Sequence, residues 1–152
     1  MNCEIQIVDT ISEEDEKIMR NDLIAYEHSH GVDVNFHPFA FVLKSESKKT
    51  VGILNGFTAF SEIYVDDMWV SKAHRGKGYG RKLLDYLYKH FEGKGYNNIN
   101  LVTNQFQARG FYEKCGFEVE FVRKNIKNPQ LSKIFLIKYF NEAVETQGLY
   151  KD

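Results

Sequence analysis

Cysteine is scarce in this 152-residue chain: Cys3 and Cys115 are the only two, far apart and with no second pair beside them. That scarcity argues against a secreted disulfide scaffold and against a zinc ribbon, both of which need clustered thiols. Both residues are therefore read as free thiols. No apolar run approaches the roughly 20 residues that cross a bilayer, and the N-terminal MNCEIQIVDT lacks a basic region followed by an apolar core. A cytoplasmic protein with no membrane partner is expected. Charge of one sign is lacking too, with 20 Lys and Arg against 21 Asp and Glu. The molecule thus offers no broad attraction for nucleic acid, and only a local basic patch stays open. No repeat, low-complexity block or linker interrupts the chain, so a single domain over 1–152 is expected, with 141–152 as a frayed or helical tail.

Aromatic residues, in contrast, are abundant, with 12 Phe and 9 Tyr, which suits either a wide core or a lined cleft. Cys3 to Asp9 alternates as a half-buried strand does. Ser12 with Asp15 resembles a capping box, and Met19, Leu23 and Tyr26 recur at helical spacing until Gly31. Residues 31–38 read as a loop. Phe39–Leu43 and Val51–Thr58, joined by the polar turn SESKK, read as a hairpin with Ile63–Val70 as its third antiparallel partner. Leu83, Leu84, Leu87, Tyr88 and Phe91 share one helical face, closed by Gly93 and Gly95. A strand over Ile99–Thr103, a short helix over Gln107–Lys114, and strands over Phe117–Val122 and Leu131–Phe140 complete a mixed α/β order, the last after an Asn128-Pro129 turn.

The segment Arg75-Gly76-Lys77-Gly78-Tyr79-Gly80 lies where the apolar strand gives way to the amphipathic helix. Small residues there let backbone N–H groups crowd around an anion, and the helix start directs its unpaired N–H groups at the same point. Arg75, Lys77 and Arg81 add charge, and arginine forks match phosphate oxygens. A pyrophosphate grip is the expectation. Neither GxxxxGK[ST] nor GxGxxG is present, which counts against nucleotide hydrolysis and dinucleotide binding.

From Val70 to Gly80 the sequence resembles the acetyl-CoA motif of the GNAT superfamily of N-acetyltransferases, [RQ]-x-x-G-x-[GA] after a strand ending in Val, with Arg75, Gly78 and Gly80 at its fixed positions. Ala108 to Phe117, ARGFYEKCGF, is similar to the family's A-x-x-F-Y-E-K-x-G-F. The close resemblance covers Ile63 to Phe121. It implies one twisted, mostly antiparallel sheet with helices on both faces and a splayed parallel strand pair that holds acetyl-CoA. It also implies direct acetyl transfer to a primary amine, on a small molecule or a protein, without a metal. A homodimer stays open.

The same resemblance implies roles for individual residues. Backbone groups around Met68 and Val70 would pair with the pantetheine arm, and a main-chain N–H there would polarise the thioester carbonyl. Gly76, Lys77, Tyr79, Gly80 and Arg81 join Arg75 and Gly78 around the pyrophosphate. Tyr112 is the expected general acid, because a phenol of pKa about 10 stays protonated beside a thiolate of pKa about 8.5. Asp66, four residues before Val70, is the expected base, on the same strand face as Tyr64 and Met68 if alternation is regular. A bulge would invert that parity, which keeps Asp67 open. An amide expected three residues before the Ala of the second motif falls on Gln105, with Asn104 adjacent, and either could contact the cofactor arm.

Other features earn smaller roles. His28, His30 and His37 lack the spacing of a metal site. Cys115 has no His partner in its motif and reads as a buried structural thiol. Phe36, Phe39, Phe57, Phe60 and Trp69 suit an acceptor cleft or core burial equally. The rival reading is a non-catalytic acyl-CoA binding or sensing domain, and RGKGYGRK as a nucleic-acid loop is a third, opposed by the balanced charge.

Overall fold

The structure, a computed structural model, describes residues 2–141. The chain divides into two compact units, Met1–Val34 and Asn35–Asp152. The expected tail lies outside the described residues apart from Asn141.

In the first unit the anticipated strand over Cys3–Asp9 does not form, and residues 2–8 take no regular secondary structure. Alternation defines a face, but a strand persists only where its N–H and C=O groups pair with a neighbour. Helix α1 follows at Glu13–Ser29. Ser12 caps it, its Oγ accepting from Asp15 N at 3.1 Å, and Glu13, Glu14, Asp15 and Glu16 put negative charge at the positive dipole end.

The second unit holds strands β1 (His37–Lys44), β2 (Thr50–Ala59), β3 (Glu62–Val70), β4 (Asn98–Asn104), β5 (Glu118–Arg123) and β6 (Lys133–Tyr139), with helices α2 (Tyr79–Phe91) and α3 (Arg109–Lys114). The expected elements are present, with ends shifted: Pro129–Leu131 makes a 3-10 turn, so β6 starts later than the apolar run does. The sheet order is β1-β2-β3-β4-β6-β5, and β3 with β4 is its only parallel pair among the described residues. Leu83, Leu84, Leu87 and Phe91 of α2 are buried in one cluster with Leu54, Ile63, Ile99, Leu101, Ile134 and Leu136 of the sheet. Burying each such leucine contributes about 2 kcal/mol.

Two features of β3 position the site. First, its pairing with β4 runs only through Glu62↔Asn98, Ile63↔Ile99 and Tyr64↔Asn100. Beyond that β3 stays with β2 and β4 with β6, so the two strands part. Second, the β2 register slips between Asn55↔Asp67 and Gly56↔Val65, which leaves Asp66 as the extra residue of a bulge. A bulge bends its strand and strengthens the twist, and this one sits just where β3 leaves β4. Gly56 opposite makes it fit, because a Cβ there would collide with the Tyr64 carbonyl.

Candidate active site

A cavity of about 520 Å³ opens beside the parted end of β3, lined by Met68, Val70, His74, Arg75, Gly76, Gly78, Tyr79, Gly80, Arg81, Ala108, Phe111, Lys114 and Cys115. It brings together three stretches distant in the chain: the end of β3, the turn into α2 and the helix α3. The turn folds as its glycines dictate. Gly76 and Gly78 hold φ of +74° and +82°, where a side chain is strained, and Gly78 is the N-cap of α2. Gly80 is held for space instead, since a Cβ there would come within 2.9 Å of Phe111 Cζ. The first turn of α2 carries no acidic residue, so its unpaired N–H groups and dipole face the cavity unopposed.

Arg75 reaches back along the strand, its Nε donating to Val70 O at 2.9 Å. That bond ties the Arg75 side chain, which lines the cavity, to the end of β3. Arg81 makes only a loose 4.0 Å pair with Asp85 on the exposed face of α2, which is worth little. Ser71 Oγ lies 2.7 Å from His74 Nδ1.

Of the residues expected from sequence, Met68, Val70, Arg75, Gly76, Gly78, Tyr79, Gly80 and Arg81 line this cavity, whereas Lys77, Asn104, Gln105, Asp66, Asp67 and Tyr112 do not. Asn104 is turned toward Gln107, whose Oε1 accepts from Asn104 N at 2.8 Å and from Asn104 Nδ2 at 3.3 Å. Gln105 N donates to Ser132 O. Tyr112 packs edge-on between Phe111 and Phe117, with centroids 5.3 and 5.9 Å away. Its burial, reinforced by the neighbouring Cys115, pushes the phenol pKa above the ordinary tyrosine value. Burial likewise raises the Cys115 thiol, an effect partly offset by the Arg81 and Lys138 cations.

The bulge corrects the expected parity of β3. Regular alternation would put Asp66 with Tyr64 and Met68 on one face. In the structure Met68 and Val70 oppose Leu54 and Gly52, while Tyr64 opposes Phe57 and Asp67 opposes Asn55. Tyr64 and Met68 thus lie on opposite faces, and Asp67 shares the Tyr64 face. Asp67 N donates to the side chain of its β2 partner, Asn55 Oδ1, at 3.0 Å. Asp66 borders a second cavity, of about 470 Å³, with Phe36, Pro38, Phe39, Ala40, Asn55, Gly56 and Phe57.

Sequence reading passed over His74, Ala108, Phe111 and Lys114 as cavity walls. Phe111 was the one with a readable signal, since a glycine at position 80 on a helix start asks for a bulky neighbour. Also unread was the side-chain chain across the parallel junction: Tyr64 Oη donates to Glu62 Oε2 at 2.5 Å, Asn98 Nδ2 to Glu62 Oε1 at 2.9 Å, and Asn100 Nδ2 to Asn98 Oδ1 at 2.8 Å. Asn98 is fully buried. The hydrogen bond to Glu62, with burial and the negative carboxylate, pushes the Tyr64 pKa up to about 12.

A family model described as acetyltransferase (GNAT) family matches residues 5–117, and the chain belongs to that family. It is therefore an acyltransferase that transfers acetyl groups. The chain is 28% identical over 109 residues to acetyltransferase Atu2258 of Agrobacterium fabrum (strain C58), covering 72% of this chain and 80% of the relative. The crystal structure of an acetyltransferase from Bacillus cereus ATCC 14579 superposes with a TM-score of 0.72 at 26% identity, over 89% of this chain and 98% of that one. An aminoglycoside 6'-N-acetyltransferase complexed with coenzyme A shares the fold, with a TM-score of 0.60 at 17% identity over 84% and 78% of the two chains. Among the described residues no helix is long and apolar enough to cross a membrane.

Proposed function

We propose that this protein transfers an acetyl group from acetyl-CoA directly to a primary amine, with the cofactor arm in the cavity beside the parted end of β3. The observation that carries the reading is the glycine turn at that cavity, with Gly76 and Gly78 in the left-handed region and the α2 N-terminus behind them. Donors there grip a pyrophosphate, together with Arg75, Lys77, Tyr79 and Arg81. The free edge of β3 at Met68–Val70 is suited to pair with the amides of an extended arm and to polarise the thioester carbonyl. Asn104 or Gln105 is the proposed contact for that arm from β4. Both compact units, residues 1–152, are taken as one transferase domain, in keeping with a family match that runs through both.

In the reaction a neutral amine attacks the thioester carbonyl, the C–S bond breaks, and the departing thiolate takes a proton from Tyr112, which regains one from solvent. A phenol raised by burial holds that proton through neutral and mildly alkaline pH. The amine loses its proton to Asp66, our choice over Asp67 because Asp66 borders the aromatic-walled cavity and Asp67 sits with Tyr64. No metal is needed for any of these steps.

Thiol release from acetyl-CoA, corrected for hydrolysis, across a panel of amines tests the reading. Tyr112→Phe is expected to lower kcat about 100-fold with little change in the KM for acetyl-CoA. Full activity in that variant would remove Tyr112 as the acid. Coenzyme A binding by calorimetry without transfer to any amine would instead mark an acyl-CoA binding domain.

A further inference from the structure

The balanced charge of the chain hides a local imbalance. From Phe121 to Phe140 the sequence holds Arg123, Lys124, Lys127, Lys133 and Lys138 and no acidic residue. Four of these cations, Arg123, Lys124, Lys127 and Lys133, line one cavity of about 300 Å³ with Asn125, Ile126 and Leu131, at the loop between β5 and β6. Arg123 and Lys133 are direct cross-strand partners, an arrangement of like charges that costs stability. The ion pairs Arg20–Glu16, Arg81–Asp85 and Arg109–Glu113 all lie outside this group. The Arg123 guanidinium instead rests 5.1 Å from the Phe135 ring centroid.

The loop that carries these charges is held in shape by its own polar groups. Asn125 Oδ1 accepts from Lys127 N at 3.1 Å and from Asn128 N at 3.0 Å. Asn128 Oδ1 accepts from Gln130 N at 3.2 Å, and Ser132 Oγ accepts from Asn125 N at 3.0 Å. Two strand-end cations, Arg123 and Lys133, and two loop cations, Lys124 and Lys127, are thereby presented around one opening on a backbone of fixed shape. Lys133 pairs with Asn104 at the end of β4, so this loop stands at the end of the sheet toward which β3 and β4 diverge.

We propose that the β5–β6 loop is a binding site for a compact oxyanion of the phosphate class, distinct from the glycine turn. Charge of that density matches clustered Lys and Arg donors, which give short, charge-assisted hydrogen bonds. The anion is either a free phosphate species or a phosphate group carried by the amine acceptor. The second source rests on the proposed acetyl transfer, whereas the site itself does not.

Inorganic pyrophosphate titrated into the full chain, followed by backbone amide NMR, reads the site without catalysis. Saturable shifts are expected at residues 123–133, separate from any at Gly76–Arg81. The double variant Lys124→Gln/Lys127→Gln is expected to weaken the loop response about tenfold or more while leaving the turn response unchanged. Loop shifts no larger than those produced by chloride at equal ionic strength would overturn the proposal, as would loop shifts unaltered by the double variant. A second arm compares KM for an amine with and without a phosphate monoester. A rise confined to the phosphorylated amine in the double variant assigns the anion to the acceptor, and equal KM values with the loop shifts retained assign it to free phosphate.

Discussion

The two ends of β3 are built from opposite materials. At its start, Glu62 and Tyr64 are tied to Asn98 and Asn100 of β4 by a polar chain whose central amide is fully buried. At its end, Met68 and Val70 have no β4 partner and line a cavity instead. Buried polar groups tolerate little misplacement, because each lost partner leaves a desolvated atom unpaired. Apolar walls tolerate a change of occupant. The strand pair is thus rigid where it must stay joined and permissive where a ligand enters, and the bulge at Asp66 separates the two regimes.

The largest test of that contrast lies opposite the bulge. Gly56→Ala would drive a Cβ into the Tyr64 carbonyl, so the register must shift. A loss of about 3 kcal/mol or more in urea denaturation is expected, with coenzyme A binding falling in parallel. Glu62→Ala comes next. It strands the Asn98 amide, at an expected cost of about 1–3 kcal/mol, and a KM for acetyl-CoA that stayed at the wild-type value would show that the joined end does not set the cavity. Gly78→Ala acts on the open end alone: a side chain at φ +82° costs about 1 kcal/mol, while coenzyme A affinity measured by calorimetry should drop more than stability does.

The smallest effect concerns pH. The Tyr64 pKa is pushed up to about 12 from the ordinary 10.0, so the folded state holds this proton more tightly than the unfolded chain. The associated stability is fully present below about pH 10 and is lost as pH climbs toward about 12. Alkaline spectrophotometric titration should show late-titrating phenols, Tyr112 among them, and the latest should disappear in Tyr64→Phe.

How much of this was readable in advance depends on distance along the chain. The glycine turn was legible because a left-handed backbone at Gly76 and Gly78 restricts the residue type locally. The helix cap at Ser12 was legible because its side chain bonds a backbone N–H only three residues on, at Asp15. The bulge left a trace: apolar residues at Ile63 and Val65 step by three to Met68 before resuming at Val70, and regular alternation was the wrong reading of that step. Glu62 and Asn98 left none, being 36 residues apart and each an ordinary surface residue by type. The segment from Cys3 to Asp9 failed in the other direction, since alternation marks a face without supplying the backbone pairing that makes a strand.

The bulge also means that β3 is written in two phases. Residues up to Val65 obey one even-odd rule and residues from Met68 obey the other, with Asp66 as the single letter that shifts the frame. Removing that letter would restore one unbroken rule, with Ile63, Val65, Met68 and Val70 still on a common face. The break in the pattern of β3 is thus an extra residue rather than a change of side-chain type, and it falls just past the last β3–β4 pair.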